Sequence, residues 1–383
     1  MFTPVQTFLG GLLLHLSTQG LLEDTGRVFG ISGIVSEAAF GDKARWRWAV
    51  IAGLVAGPAL VHTVGIAPYV PDPTAWTWTA MSPARLALAG GLIGFGSKMG
   101  SGCTSHLPQP PNQPALIRLR LTSSGHMLCG VSRLSPRSIV ATAVFFMTAV
   151  LTAKFFPAPV NVPPPAYQLA PFSGQGTLAL LGTVLGFVAA KKLIDRLVPR
   201  CVKPTVPAPD AAECERITES PAGLATYLWA GLSFGVGLVM SGMISSLKVL
   251  GFLRLPPPLD SFDPSLGMVM LGGVLPNALS YFGMMKESNG HPKPRFGWEQ
   301  WRVPTRKDIN PRLIAGAAIF GVGWGLCGVC PGPAISTLGE IAVAAANGVS
   351  LDKLQPGFTA WGAYIANMLA GMYAVKLVDS VIA

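Results

Sequence analysis

Nine apolar runs of near-bilayer length constrain this chain more than any other feature. They lie near 5–22, 49–68, 83–99, 138–156, 173–190, 222–242, 265–285, 312–328 and 357–378, the first being the shortest. A helix of roughly 20 mostly apolar residues spans the hydrocarbon of a bilayer. Backbone in that layer must satisfy its own hydrogen bonds, which favours helices. The sequence therefore predicts an all-α polytopic membrane protein of about nine spans. Composition agrees: only 12% of residues are charged, where a soluble domain carries about a quarter. No segment outside the runs is long enough to bury its own core, so residues 1–383 read as a single integral membrane domain. No basic stretch precedes the first run, so no cleaved signal peptide is expected.

The net charge of +10 is unevenly placed. Basic residues collect in four connections, around Lys43–Arg47, Arg118–Arg137, Lys191–Lys203 and Lys286–Arg312. Connections 69–82, 156–172 and 255–264 are rich in proline and contain no Lys or Arg. That asymmetry is a topological signature, with the basic connections in the cytosol, and it argues against nucleic acid as a partner. The expected setting is the bilayer of the plasma membrane. The six cysteines form no disulfide framework: Cys201 and Cys214 fall in a cytosolic connection, where thiols stay reduced.

A cysteine-ended glycine string occurs twice. Gly94-Phe95-Gly96-Ser97-Lys98-Met99-Gly100-Ser101-Gly102-Cys103 aligns with Gly321-Val322-Gly323-Trp324-Gly325-Leu326-Cys327-Gly328-Val329-Cys330. A shorter element, Ile31-Ser32-Gly33-Ile34, resembles Met240-Ser241-Gly242-Met243, with Gly235-Val236-Gly237 upstream of the latter. Each half is thus expected to hold an early and a late glycine-rich break. The first repeat runs over about 1–195, a cytosolic linker over 195–220 and the second repeat over about 221–383. Paired, interrupted apolar segments point to a transporter site near the midplane. Close helix contact is the competing account of the glycines, but it does not explain the matched cysteines.

Pro331 and Pro333 follow Cys330, and the apolar run that they open ends at Asn347-Gly348. Proline suits a first helical turn, so Cys330 is expected at the N-cap of a half-helix. Free N–H groups and the positive end of the dipole would face it, an environment that attracts anions. Lys98 and Lys248 lie near the breaks; each either balances an anionic substrate or snorkels to the interface.

Past Cys103 the chain reads Thr104-Ser105, and after an intervening stretch Gly125-His126-Met127-Leu128-Cys129-Gly130-Val131-Ser132-Arg133. Joined, these give GCTSGHMLCGVSR, which resembles the signature of the YeeE/YedE sulphur-transport family, whose studied members take up thiosulfate. GLCGVCPGPA near the second cysteine, SGM…LKVLGF at 241–252 and GRVFGISGI at 26–34 are similar to it too. The resemblance implies an hourglass of two pseudo-symmetric halves, with broken or re-entrant helices plunging from both faces. It also implies a relay of thiosulfate between cysteines at the constriction, by hydrogen bonding. By motif match the relay falls on Cys103 and Cys330, with Gly102, Thr104, Gly125, His126, Pro331 and Gly332 beside them and Lys248 as the further candidate contact. The family's additional N-terminal cysteine has no counterpart before Cys103. Residues 106–124 interrupt the motif with a proline-rich basic stretch that reads as an insertion, either a gene-model remnant or a genuine loop.

The expected partners are thiosulfate or a similar small anion, and the lipid bilayer. A small sulphur-carrier protein on the cytosolic side is a further candidate. No cofactor or metal is expected, no enzymatic role is assigned, and no nucleotide-binding loop accompanies the glycine strings. Two rivals stay open: a membrane thiol–disulfide oxidoreductase using Cys327 and Cys330, and a transporter of a selenium or soft-metal species.

Overall fold

The computed structural model describes residues 1–70, 81–101, 126–159, 168–170, 173–197, 218–255, 262–296, 299, 301–304 and 308–382. In chain order the α-helices are α1 (Pro4–Thr25), α2 (Ile31–Phe40), α3 (Arg45–Thr63), α4 (Pro83–Ser101), α5 (Pro136–Phe155), α6 (Gly174–Leu197), α7 (Pro221–Met240), α8 (Ser246–Phe252), α9 (Ser265–Glu287), α10 (Pro311–Cys327), α11 (Pro331–Ala346) and α12 (Leu351–Ile382). A short π-helical turn, His126–Val131, precedes α5. Among the described residues the only β pairing is an isolated bridge between Phe2 and Leu169. The predicted linker over 195–220 and the insertion at 106–124 lie largely or wholly outside the described residues.

Each of the nine apolar runs falls on a helix. Among the described residues, five units are long and apolar enough to cross a bilayer by length and composition: α5, α6, Gly223–Met240 of α7, α9 and Pro311–Ala346. The last is α10 and α11 together, interrupted at 328–330. Proline repeatedly sets the start. It occupies the first turn of α1, α5, α7, α10 and α11, where its missing N–H costs nothing. Ser220 and Asn310 add side-chain caps, accepting from the N–H groups of Gly223 and Leu313. Large apolar side chains on α5, α6 and α9, such as Met147, Leu185 and Leu279, face outward. Such surface suits hydrocarbon, not water.

The helices pack in exchanged pairs. α3 lies on α7 while α9 lies on α1; α4 lies on α12 while α10 lies on α5; α11 lies on α3 while the turn at 126–131 lies on α9. α1 and α7 pack on each other, as do α4 and α10. Swapping the halves reproduces each of these pairs, the contact pattern of a pseudo-two-fold. α6 has no counterpart.

The expected interruptions are present at 26–30 between α1 and α2, at 241–245 after α7, and at 328–330, the cysteine end of the second string. The Gly-x-Gly openings themselves stay helical: α4 runs through Gly94 and Gly96, α7 through Gly235 and Gly237, and α10 through Gly321, Gly323 and Gly325. The glycines in the helices serve contact. A Cβ on Gly323 would lie 2.9 Å from the Ala89 carbonyl oxygen of α4, and one on Gly96 would lie 2.7 Å from the Gly316 carbonyl oxygen of α10.

Described residues of three of the basic connections meet around the end of α1. Arg27 pairs with Glu299 at 2.8 Å and Lys191 with Asp24 at 2.8 Å, while Arg27 and Arg47 both stack on Trp46. Tyr227 and Thr218 also donate to Glu299.

Candidate functional site

Sequence places a proline after Cys330 and a glycine before Val329, and these two choices build the site. Gly328 ends α10 in the left-handed conformation, with φ of 69°, and its N–H donates to the Trp324 carbonyl. The chain then turns, and Cys330 stands in extended backbone as the N-cap of α11. Cys330 is half-buried and lines a cavity of about 210 Å³ inside the bundle, together with Pro331 and Gly332. A single buried water needs only about 10–15 Å³ of such space, so a small ion has room.

The first half supplies the opposite wall. Phe29 and Gly30 of the α1–α2 connection, Ile31 and Ser32 of α2, and Gly96, Ser97 and Gly100 of α4 line the same cavity. The start of α2 meets the start of α11: a Cβ on Gly332 would lie 2.7 Å from the Ile31 side chain. Phe29 stacks on Phe234 of α7 at 4.6 Å between ring centroids, and Phe145, Phe320 and Trp324 give much of the remaining surface.

Donors on this wall are few and weak. α2 has no side-chain cap, and its first helical bond runs from the Ile34 N–H to the Gly30 carbonyl. The N–H groups of Ile31, Ser32 and Gly33 therefore stand at its open end. α11 is poorer than expected. Pro331 and Pro333 have no N–H, and Ala334 already donates to the Cys330 carbonyl. That leaves the Gly332 N–H, which faces the Cys330 sulphur. The Ser97 hydroxyl donates within its own helix, to the Gly94 carbonyl. Among the described residues, none on the wall is charged.

The two lysines are engaged elsewhere. Lys98 pairs with Glu37 of α2 at 2.8 Å. Lys248 donates to Asp263 at 3.2 Å, Thr3 at 2.9 Å and Ser265 at 3.0 Å, and is absent from the cavity wall. Cys103, Gly102, Thr104 and Gly125 lie outside the described residues, and of His126 the backbone alone is described, at the start of the π-helical turn. Cys327 is fully buried, its thiol directed to the Gly323 and Val329 carbonyls. It does not line the cavity, so the Cys327–Cys330 spacing does not present two accessible thiols. Among the described residues no group of three or more His, Cys, Asp or Glu is placed to hold a metal ion.

Sequence reasoning passed over the wall contributed by Phe29, Ile31, Ser32 and Ser97. The recurrence of Ile-Ser-Gly-Ile as Met-Ser-Gly-Met was the available signal, since it falls on the first turn of α2 and on the interruption that follows α7.

A profile described as a family of unknown function, DUF6691, matches residues 223–383. A protein of Xylella fastidiosa (strain Temecula1 / ATCC 700964) bearing the name probable transporter is 40% identical over 147 residues, which are 38% of this chain and 90% of that protein. A second probable transporter, from Xylella fastidiosa (strain 9a5c), is 42% identical over 111 residues, 29% of this chain and 71% of that protein. Both relatives are thus less than half as long as this chain. No solved structure matches it.

Proposed function

This chain belongs to the family of those Xylella probable transporters, and we propose that it carries thiosulfate, or a closely related small sulphur-containing anion, across the bilayer through the cavity at Cys330. The observation that carries this reading is the placing of Cys330: a thiol at the N-cap of a half-helix, on the wall of a cavity that a second half-helix enters with its own N-terminus. Two positive dipole ends favour an anion there. A bare dianion in hydrocarbon is prohibitively costly, so a path must offer donors throughout. Thiol and backbone N–H donors without a fixed cation make shallow sites, from which the ion can leave again. A terminal sulphur on the substrate also matches the soft, polarisable wall of Cys330, Phe29, Phe234 and Trp324.

Each negative charge moved inward against about 100 mV of inside-negative potential costs about 2.3 kcal/mol. Uptake therefore needs a gradient to drive it.

The test is uptake of labelled thiosulfate by cells with no other route for it. Cys330→Ala is expected to lower the rate at least about tenfold, a loss of about 1.4 kcal/mol, at equal membrane expression. Cys201→Ala and Cys214→Ala are expected to leave it unchanged. An undiminished rate in Cys330→Ala would remove that thiol from the path. Uptake of labelled selenite with none of labelled thiosulfate would change the substrate.

A further inference from the structure

One titratable pair lies inside the bundle away from the cavity. His62 is in the last turn of α3 and Glu340 in the third turn of α11, and their Nε2 and Oε2 atoms are 3.6 Å apart. The Glu340 side chain is 3% exposed and that of His62 26%. Close helix approach sets the contact. A Cβ on Gly339 would lie 3.2 Å from Pro58 of α3, so glycine lets the two helices meet beside the pair. Buried ionisable groups in membrane spans are expensive and mark ion or proton paths.

Among the described residues, the other titratable groups on the helices packed against α11 are engaged elsewhere, apart from the exposed Asp352 and Lys353 at the start of α12. α7 carries no Asp, Glu, Lys, Arg or His. Its Tyr227 is held by Glu299. On α2, Glu37 is engaged by Lys98. On α12, Tyr364 donates to the Val329 carbonyl, and no charged residue falls between Lys353 and Lys376.

We propose that His62 and Glu340 form a proton-binding site that couples anion entry to proton entry. The inference rests on the transport reading and supplies its driving force. With one proton the pair is neutral overall; without it, a carboxylate is buried against a neutral imidazole. Charge balance then links the two ends of one half-helix. An anion at Cys330, the N-cap of α11, adds negative charge, and a proton on the pair, ten residues along, offsets it. His62 is the partly open member, and α3 ends towards the connection 69–82, which lacks Lys and Arg. The proton therefore enters from water on the side opposite the basic cluster, binds Nε2 or a carboxylate oxygen, and leaves on the other side as the anion does.

The experiment uses the full chain in liposomes with labelled thiosulfate. Wild type is expected to accumulate more anion when the outside is acid, up to about tenfold per pH unit at one proton per anion. Glu340→Gln is expected to lose this response while still exchanging labelled for unlabelled thiosulfate at equal pH. Glu340→Asp should recover part of the response. If Glu340→Gln is not monodisperse on size exclusion, His62→Gln carries the same comparison. Exchange in wild type with no effect of the pH gradient overturns the coupling and leaves the transport reading standing, as does a full gradient response in both Glu340→Gln and His62→Gln. Absence of exchange in wild type overturns the transport reading and the coupling with it.

Discussion

Gly328 occupies a position that no other residue fills cheaply. Its backbone is left-handed, and a Cβ would lie 2.8 Å both from the Ser246 carbonyl oxygen and from Leu250 of α8. Left-handed backbone alone costs other residues about 1–2 kcal/mol. Gly328→Ala is therefore expected to lower Tm in detergent and to reduce uptake, since Cys330 is only two residues on; unchanged Tm and uptake would mean that the turn tolerates a side chain. Lys98 and Glu37 give a second residue-scale test. Their side chains are 14% and 8% exposed. Removing one partner of a buried pair typically costs about 3–5 kcal/mol, whereas apolar replacement of both is often neutral. Glu37→Gln should thus lower thermal stability more than Glu37→Leu combined with Lys98→Met, and the reverse order would show the pair to be inert. At this scale the sequence was legible wherever the cause is local. Proline at 331 announces the cap at Cys330. The partner of Lys98 is 61 residues away in sequence, and nothing adjacent to the lysine reveals it.

The glycine strings show how one pattern serves two ends. In water, glycine weakens a helix by about 1 kcal/mol relative to alanine, so a run of glycines reads as a break. Between packed membrane helices the same residues allow backbones to approach, and α4 and α10 stay continuous for that reason. The starts of α2 and α11 were partly legible, through the Ile-Ser-Gly-Ile recurrence and the Pro-Gly-Pro that follows Cys330. Which glycines touch another helix was not, because hydropathy is the same on a lipid-facing and a helix-facing surface. The distinction is testable. Gly96→Leu would drive a side chain into α10 and is expected to cost about 1–3 kcal/mol or more. A Cβ on Gly182 of α6 would meet nothing within 4 Å, so Gly182→Leu should change stability by no more than about 0.5 kcal/mol. Thermal unfolding of the two variants in one detergent decides it, and equal losses would contradict the assigned contacts.

Across the whole molecule, the nine apolar runs marked nine of the helices but not α2, α8 or α11, and the recurring strings pointed to the duplication, whereas which helices meet required the structure. The contacts between halves are extensive: α1 on α7, α3 on α7, α9 on α1, α4 on α10 and α12, α5 on α10, and α11 on α3. Each half therefore buries against the other much of the surface that would otherwise face its own partner helices, and the cavity wall needs both, Ile31 and Ser32 from one and Cys330 from the other. The Xylella relatives are less than half the length of this chain. An unbroken link between halves is thus not expected to be essential; their interface is. Residues 1–197 and 218–383, expressed as separate chains in one cell, should co-purify through a tag on either and restore thiosulfate uptake. Expressed alone, neither should transport, because α7 without α1 and α3, or α4 without α10 and α12, leaves small-residue faces open and only part of the wall in place. Transport by 218–383 alone would place the whole path in the second half and remove Ile31 and Ser32 from it.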